Sequence, residues 1–263
     1  MSAWALTVAG SDPSGGAGLQ ADLKAFTARG VQGAAVPTLI TVQNSAGVRA
    51  VSPLDAALVG AQLEAVFQDV PVRALKTGTL HGAALVKEVA RVLAAHTPVS
   101  YVLDPVVMSG SGTRLLDDHG LWTMVEQLLP RTTLITPNAD EASLLTRRPV
   151  RTEEEAREAA VAIQALGARA VLVKGGHLSE DAAVDVLFDG NGFHTFKVPR
   201  LKLPRIHGAG CLLSALITAE LAKGPGLLEA VGTARRLLNR ALEHGTVMPS
   251  GVLLPDVFSL QGP

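Results

Sequence analysis

The chain has 263 residues, 48% of them hydrophobic and 3% aromatic, which excludes disorder and predicts one large aliphatic core. Lys plus Arg 23 against Asp plus Glu 24 gives a net charge of -1 with no basic run, so the charge favours a small-molecule partner over nucleic acid or an anionic membrane. A single Cys cannot close an internal disulfide, no signal-peptide layout opens the chain, and no apolar stretch reaches the ~20 residues of a membrane span, so a soluble protein of the reducing cytoplasm is expected.

In chain order, a β-type run from Ala5 to Ala9 ends in Gly10-Ser11-Asp12-Pro13-Ser14-Gly15-Gly16-Ala17-Gly18. Helical periodicity resumes from Leu19 to Arg29. Further strands are predicted at Ala34–Thr41, Ala74–Thr77, Val99–Leu103, Thr133–Thr136 and Ala170–Lys174. Each is nearly all apolar, as strands covered on both faces must be. Helices are predicted between them at Leu54–Phe67, Ala83–Ala95, Leu121–Leu129 and Glu153–Leu166. Val184–Phe188 and Gly192–Val198 flank Asp189-Gly190-Asn191, which reads as a hairpin and gives a mostly parallel sheet one antiparallel edge. The chain is expected to close with helices. Nothing interrupts the βα alternation, so residues 1–263 read as one α/β domain.

In open α/β sheets the ligand lies outside the carboxyl ends of the strands, so the loops there carry the chemistry. Gly16-Ala17-Gly18-Leu19-Gln20-Ala21 fits a dinucleotide-binding turn. The next strand, however, ends in Thr41-Val42-Gln43-Asn44 rather than in the acid that would hold a ribose. Asn138 and Glu141 stand three residues apart at a helix start, where their oxygens suit Mg²⁺ and equally suit a capping box. Asp104 ends another strand, and Lys174 ends a third before two glycines. Gly208-Ala209-Gly210-Cys211 leads into an apolar helix whose free N–H groups can hold developing negative charge. The helix dipole is expected to lower the thiol pKa of Cys211 so that it could act as a base, the alternative being that a lone Cys is a small buried hydrophobe.

Taken in order, Gly10-Ser11-Asp12-Pro13-Ser14-Gly15-Gly16-Ala17-Gly18, Gln43-Asn44, Lys76-Thr77-Gly78, Asp104-Pro105-Val106, Thr136-Pro137-Asn138, Lys174-Gly175-Gly176-His177 and His207-Gly208-Ala209-Gly210-Cys211 resemble the ribokinase-like kinases. Within these, the likeness is to the hydroxymethylpyrimidine and phosphomethylpyrimidine kinases of thiamine synthesis, over nearly the whole chain. The resemblance implies a three-layer αβα fold, ATP with Mg²⁺, a homodimer, and two successive phosphoryl transfers. These go to 4-amino-5-hydroxymethyl-2-methylpyrimidine and then to its monophosphate.

By the same resemblance, Cys211 is the base and Gly208, Ala209 and Gly210 form the anion hole. Gln43 faces the pyrimidine, with Asp22 and Gly10 lining its pocket. Lys174, Asp104 and Asn138 meet the nucleotide, and Glu141, Asn138 and Asp104 serve the metal. Four departures are present, one being the closing segment Gly251 to Pro263, which lacks the family's usual Gly-Pro and His tail. Gly-Ala-Gly-Cys-Leu replaces the usual Gly-Thr-Gly-Cys-Thr, Thr79 replaces a Met, and the loop Val107 to Gly112 lacks a lysine. The form His-Gly-Ala-Gly-Cys also occurs in related pyridoxal kinases, which leaves pyridoxal or pyridoxine as the alternative substrate.

Overall fold

A computed structural model describes residues 2–96, 99–176 and 182–260. Strand β1 (Trp4–Ser11), helix α1 (Gly18–Ala28) and strand β2 (Gln32–Asn44) form a first βαβ unit, with β1 and β2 parallel. Strand β3 (Gly47–Pro53) folds back antiparallel on β2. The alternation then runs through α2 (Ala56–Asp69), β4 (Ala74–Thr77), α3 (Ala83–Ala95), β5 (Ser100–Leu103) and α4 (Asp118–Gln127). It continues with β6 (Leu134–Ile135), α5 (Ala139–Thr146), α6 (Glu153–Ala165) and β7 (Val171–Val173). The hairpin β8 (Ala182–Phe188) and β9 (Phe193–Pro199) precedes α7 (Ala209–Lys223) and α8 (Leu227–Glu243).

The nine strands make one sheet in the order β3-β2-β1-β4-β5-β6-β7-β8-β9, parallel in the middle and antiparallel at both ends. One antiparallel edge matches expectation and the other corrects it. The expected helical close also needs correction, because β10 (Thr246–Val247), β11 (Leu253–Leu254) and a short 3-10 turn at Phe258–Leu260 follow α8. His177 and the last three residues lie outside the described residues.

Side chains alternate across each strand, and this sorts the core into two layers. Leu6, Val8, Leu75, Leu103 and Ile135 pack on one face with residues of α2 through α6. Ala5, Ala74, Val102, Leu134 and Leu172 pack on the other with α1, α7 and α8. Thr7 and Lys76 share the parity of Ala5 and Ala74 and so point into this second layer. Helix α7 is buried continuously from Leu212 to Ala222, which explains its lack of a polar face. Among the described residues no helix is long and apolar enough to cross a membrane.

Candidate active site

Five of the predicted residues converge where β5, β6, β7 and α7 meet. Asp104, one residue past β5, is 1% exposed. Its Oδ1 accepts from Lys174 Nζ at 2.8 Å and from Thr136 Oγ1 at 3.2 Å, and its Oδ2 accepts from Ser214 Oγ at 3.0 Å. Burial pushes the Asp104 carboxyl up, but the ammonium groups of Lys174 and Lys76 outweigh it and hold it below the usual range. Burial likewise opposes the charge on Lys174, and Asp104 with Glu141 overrides it, so Lys174 stays protonated. A Cβ at Gly210 would stand 3.2 Å from Lys174 Nζ, so the glycine keeps the first turn of α7 open beside that cation.

Asn138 and Glu141 form a complete capping box at the start of α5. Asn138 Oδ1 accepts from Glu141 N, and Glu141 Oε2 accepts from Asn138 N, both at 2.8 Å. The cap does not exhaust Glu141. The side chain is buried beside Lys174 and Asp104, and burial raises its pKa to about 7 although Lys174 opposes the rise. Among the described residues no group of three or more His, Cys, Asp or Glu is placed to hold a metal ion. Asp104 and Glu141 are the two carboxylates nearest Lys174, and in this structure their oxygens accept from Lys174, Thr136, Ser214 and the backbone of Asn138.

Gly208 caps α7 with φ 86°, a left-handed conformation that glycine adopts without strain. Any Cβ there would fall on the carbonyl oxygen of Gly16, so the turns that open α1 and α7 are in backbone contact. The N–H groups of Ala209, Gly210 and Cys211 belong to the first helical turn, which has no intrahelical acceptor for them. Cys211 corrects one expectation. Burial raises its thiol to about 11, the charge of Lys76 and a bond from the Gly18 backbone oppose that rise, and Asp104 and Asp22 reinforce it.

Asp22 also corrects its reading as a residue lining the pocket. It is fully buried, its Oδ1 and Oδ2 accept from Lys76 Nζ at 2.7 and 2.8 Å, and its Oδ2 also accepts from Thr7 Oγ1 at 2.6 Å. Gly10 sits at a register shift between β1 and β2, where a Cβ would lie 2.6 Å from Leu39 Cδ1. A larger residue there would have to displace the buried Leu39 side chain. Gln43 falls inside β2 rather than just past a strand, and the β2–β3 hairpin carries it over the turn before α7. The hairpin is held down by Arg205, which donates to Ala46 O at 3.0 Å, and by a Ser45–Ser250 hydroxyl pair at 2.8 Å.

Four contributors escaped sequence reasoning as site residues: Lys76, Thr136, Ser214 and His207. Lys76 announced itself as the one charge in the short strand Ala-Leu-Lys-Thr, which is buried throughout, and Ser214 as a hydroxyl inside an apolar helix.

Residues 12–254 match the phosphomethylpyrimidine kinase family. The hydroxymethylpyrimidine/phosphomethylpyrimidine kinase of Rhizobium meliloti is 45% identical over 92% of this chain and 91% of its own length. The thiamine biosynthesis bifunctional protein ThiED of Geobacter sulfurreducens is 44% identical over 90% of this chain, which spans about half, 48%, of that longer protein. Among solved structures, a Bacillus subtilis pyridoxal kinase in complex with ADP superposes with a TM-score of 0.91 at 36% identity, covering 99% of both chains. A phosphomethylpyrimidine kinase from Clostridium difficile gives 0.81 at 39% identity, over 91% of this chain and 99% of its own.

Proposed function

This chain belongs to the phosphomethylpyrimidine kinase family, and we propose that it transfers the terminal phosphoryl group of ATP to the hydroxymethyl group of 4-amino-5-hydroxymethyl-2-methylpyrimidine and then to the resulting monophosphate. The observation that carries this reading is the convergence of Lys174, Asp104 and the free N–H groups of α7, a helix whose cap Gly208 follows directly on His207, which lines a pocket with Gln43.

The N–H groups of Ala209 and Gly210 hold the charge that develops on the transferring phosphoryl group, and Lys174 adds a point charge beside them. Cys211 removes the proton of the substrate hydroxyl at Sγ. Lys76 is the cation that favours its thiolate from within the protein. Asp104 and Glu141 are the residues that would hold Mg²⁺, which when bound neutralises phosphate charge. Gln43 orients the ring so that the hydroxymethyl group faces Cys211. Ile40 and Val42, exposed on the face of β2 turned away from Gln43, support a homodimer, which sedimentation equilibrium tests.

The 0.91 superposition on a pyridoxal kinase favours a second reading in which pyridoxal or pyridoxine is the alcohol. ATP-dependent turnover of the pyrimidine alcohol, its monophosphate and pyridoxal, measured side by side, decides between them. Preference for pyridoxal overturns the first reading.

A further inference from the structure

Helix α8 buries Arg235 in the layer it shares with α7, where the arginine Nε stands 2.8 Å from Asp185 Oδ2 on β8. Its Nη1 is buried with no hydrogen-bond partner among the described residues. Ion pairs sealed in this way add little net stability, and apolar residues often replace them without loss. Stability alone therefore does not account for the arginine. Val173 on β7 faces Val186 on β8, so the next residues along, Lys174 and Asp185, come opposite each other. Lys174 shares the parity of Leu172, and Asp185 that of Leu187, so both side chains turn toward α7 and α8. Lys174 thus has an acid on either side, Asp185 on β8 and Asp104 past β5, and its charge is felt at both. It donates to Asp104, 2.8 Å away.

We infer that Arg235 is a positioning residue for Lys174: by occupying the Asp185 carboxylate it keeps the lysine from turning to β8, and so holds the ammonium on Asp104 beside the open turn of α7. The inference rests on the phosphotransferase reading above, in which Lys174 meets the transferring phosphate, and adds to it what aims that lysine. The other oxygen of Asp185 is committed as well, since Oδ1 accepts from Gly175 N at 2.9 Å. The register sets Gly175 opposite Val184, whose N–H reaches Gly175 O at 3.4 Å. The Asp185 side chain takes the return bond that an antiparallel ladder would give to the main chain. One oxygen of Asp185 therefore fixes the turn that follows Lys174, and the other is held by Arg235. Without the guanidinium, a buried carboxylate would be left with one neutral donor and a lysine as its cross-strand neighbour. An uncompensated buried charge draws the nearest cation. Lys174 would then pair across the sheet and leave Asp104 to Thr136 and Ser214. A phosphate at the turn of α7 would lose its point charge.

The experiment measures kcat and KM with ATP and the pyrimidine alcohol for wild type, Arg235→Met, Arg235→Lys and the double variant Asp185→Asn with Arg235→Met, each scaled to its folded fraction. Arg235→Met should lower kcat/KM for ATP about 10 to 10²-fold and leave KM for the alcohol where it was. Arg235→Lys keeps a cation on Asp185 and should recover most of the loss. So should the double variant, whose amide oxygen still accepts from Gly175 N while no charge remains to draw Lys174 across. In a Lys174→Met background there is no lysine to misdirect, and adding Arg235→Met should change kcat by less than about twofold. Wild-type kinetics in a folded Arg235→Met protein overturn the inference, as does a double variant no better than Arg235→Met alone, or an equal loss with and without Lys174. Should Arg235→Met fail to fold, Arg235→Gln takes its place, since it removes the charge and keeps an N–H donor for Asp185, and the same outcomes decide. Wild-type protein that phosphorylates neither the pyrimidine alcohol nor pyridoxal refutes the phosphotransferase reading itself, a result distinct from all of these.

Discussion

Two lysine–aspartate pairs of nearly equal length occupy unlike places. Lys76 and Asp22, 2.7 Å apart, are both fully sealed from solvent, whereas Lys174, 2.8 Å from Asp104, keeps 13% of its side chain exposed. In the sealed pair burial works against the lysine's charge and Asp22 overrides it, so the charge has no partner to gain. Lys174 lies between two carboxylates beside the open turn of α7, and an incoming phosphate can take over part of what Asp104 now supplies. On the proposed function, the same chemical pair is a strut in one setting and a binding group in the other. Cys211 feels both lysines, which makes it the point where the two settings meet.

The largest expected effect tests that meeting point. Cys211→Ala should lower kcat by 10² to 10⁴-fold, up to about 5.5 kcal/mol, if the thiolate is the base. Because burial holds the thiol near about 11, kcat/KM of the wild type should climb as pH rises from neutrality, and alkylation of Cys211 should be slow at pH 7 and quicken with it. A flat profile shared by wild type and Cys211→Ala would remove Cys211 from the chemistry. Next comes Lys76→Met, which strands the Asp22 carboxylate in the core and should cost about 3 to 5 kcal/mol of unfolding free energy in urea titrations. Adding Asp22→Leu should recover most of that loss. Equal damage from the single and the double variant would show that the pair is not a strut.

Lys174→Met should divide the two roles in the opposite sense. Turnover is expected to fall about 10² to 10³-fold, with a smaller loss of stability than Lys76→Met, because Thr136 and Ser214 still serve Asp104. The smallest effect concerns Glu141, whose carboxyl is raised from 4.5 to about 7 on folding. The folded state then binds the proton more tightly, so this contribution to stability is full below the ordinary carboxyl range and is lost as pH rises through about 7. Glu141→Gln keeps the capping box and removes the titration. In metal-free buffer its melting temperature should gain on wild type between pH 5 and 8, and parallel curves would count against the burial of that charge.

Much of the fold was legible because apolar runs and turn residues are local signals. Ala74–Thr77 and Ala83–Ala95 agree with the sequence reading end for end. Strand β3 was not legible, since Arg49, Ala50, Ser52 and Pro53 are exposed and carry no apolar alternation. The predicted strand Ala34–Thr41 falls short of β2 at both ends, and Pro37 inside it sits next to the register shift, where a missing N–H is tolerated. Residue types at the site were readable from their positions after strands. Their partners were not, because Lys76 finds Asp22 across 54 positions, Ser214 finds Asp104 across 110 and His207 finds Asp12 across 195. Such pairings depend on which strands become neighbours, and no local pattern encodes that order.

The backbone contact between Gly208 and the carbonyl of Gly16 also bears on how such a chain can be recombined. A graft that brings residues 1–30 from a relative without residues 205–211 would mate two turns shaped by different histories. Even a methyl group at position 208 would force them apart. Although nearly two hundred positions separate them, the two segments form one heritable unit. Crossover libraries should find functional chimeras enriched among those that take both turns from a single parent.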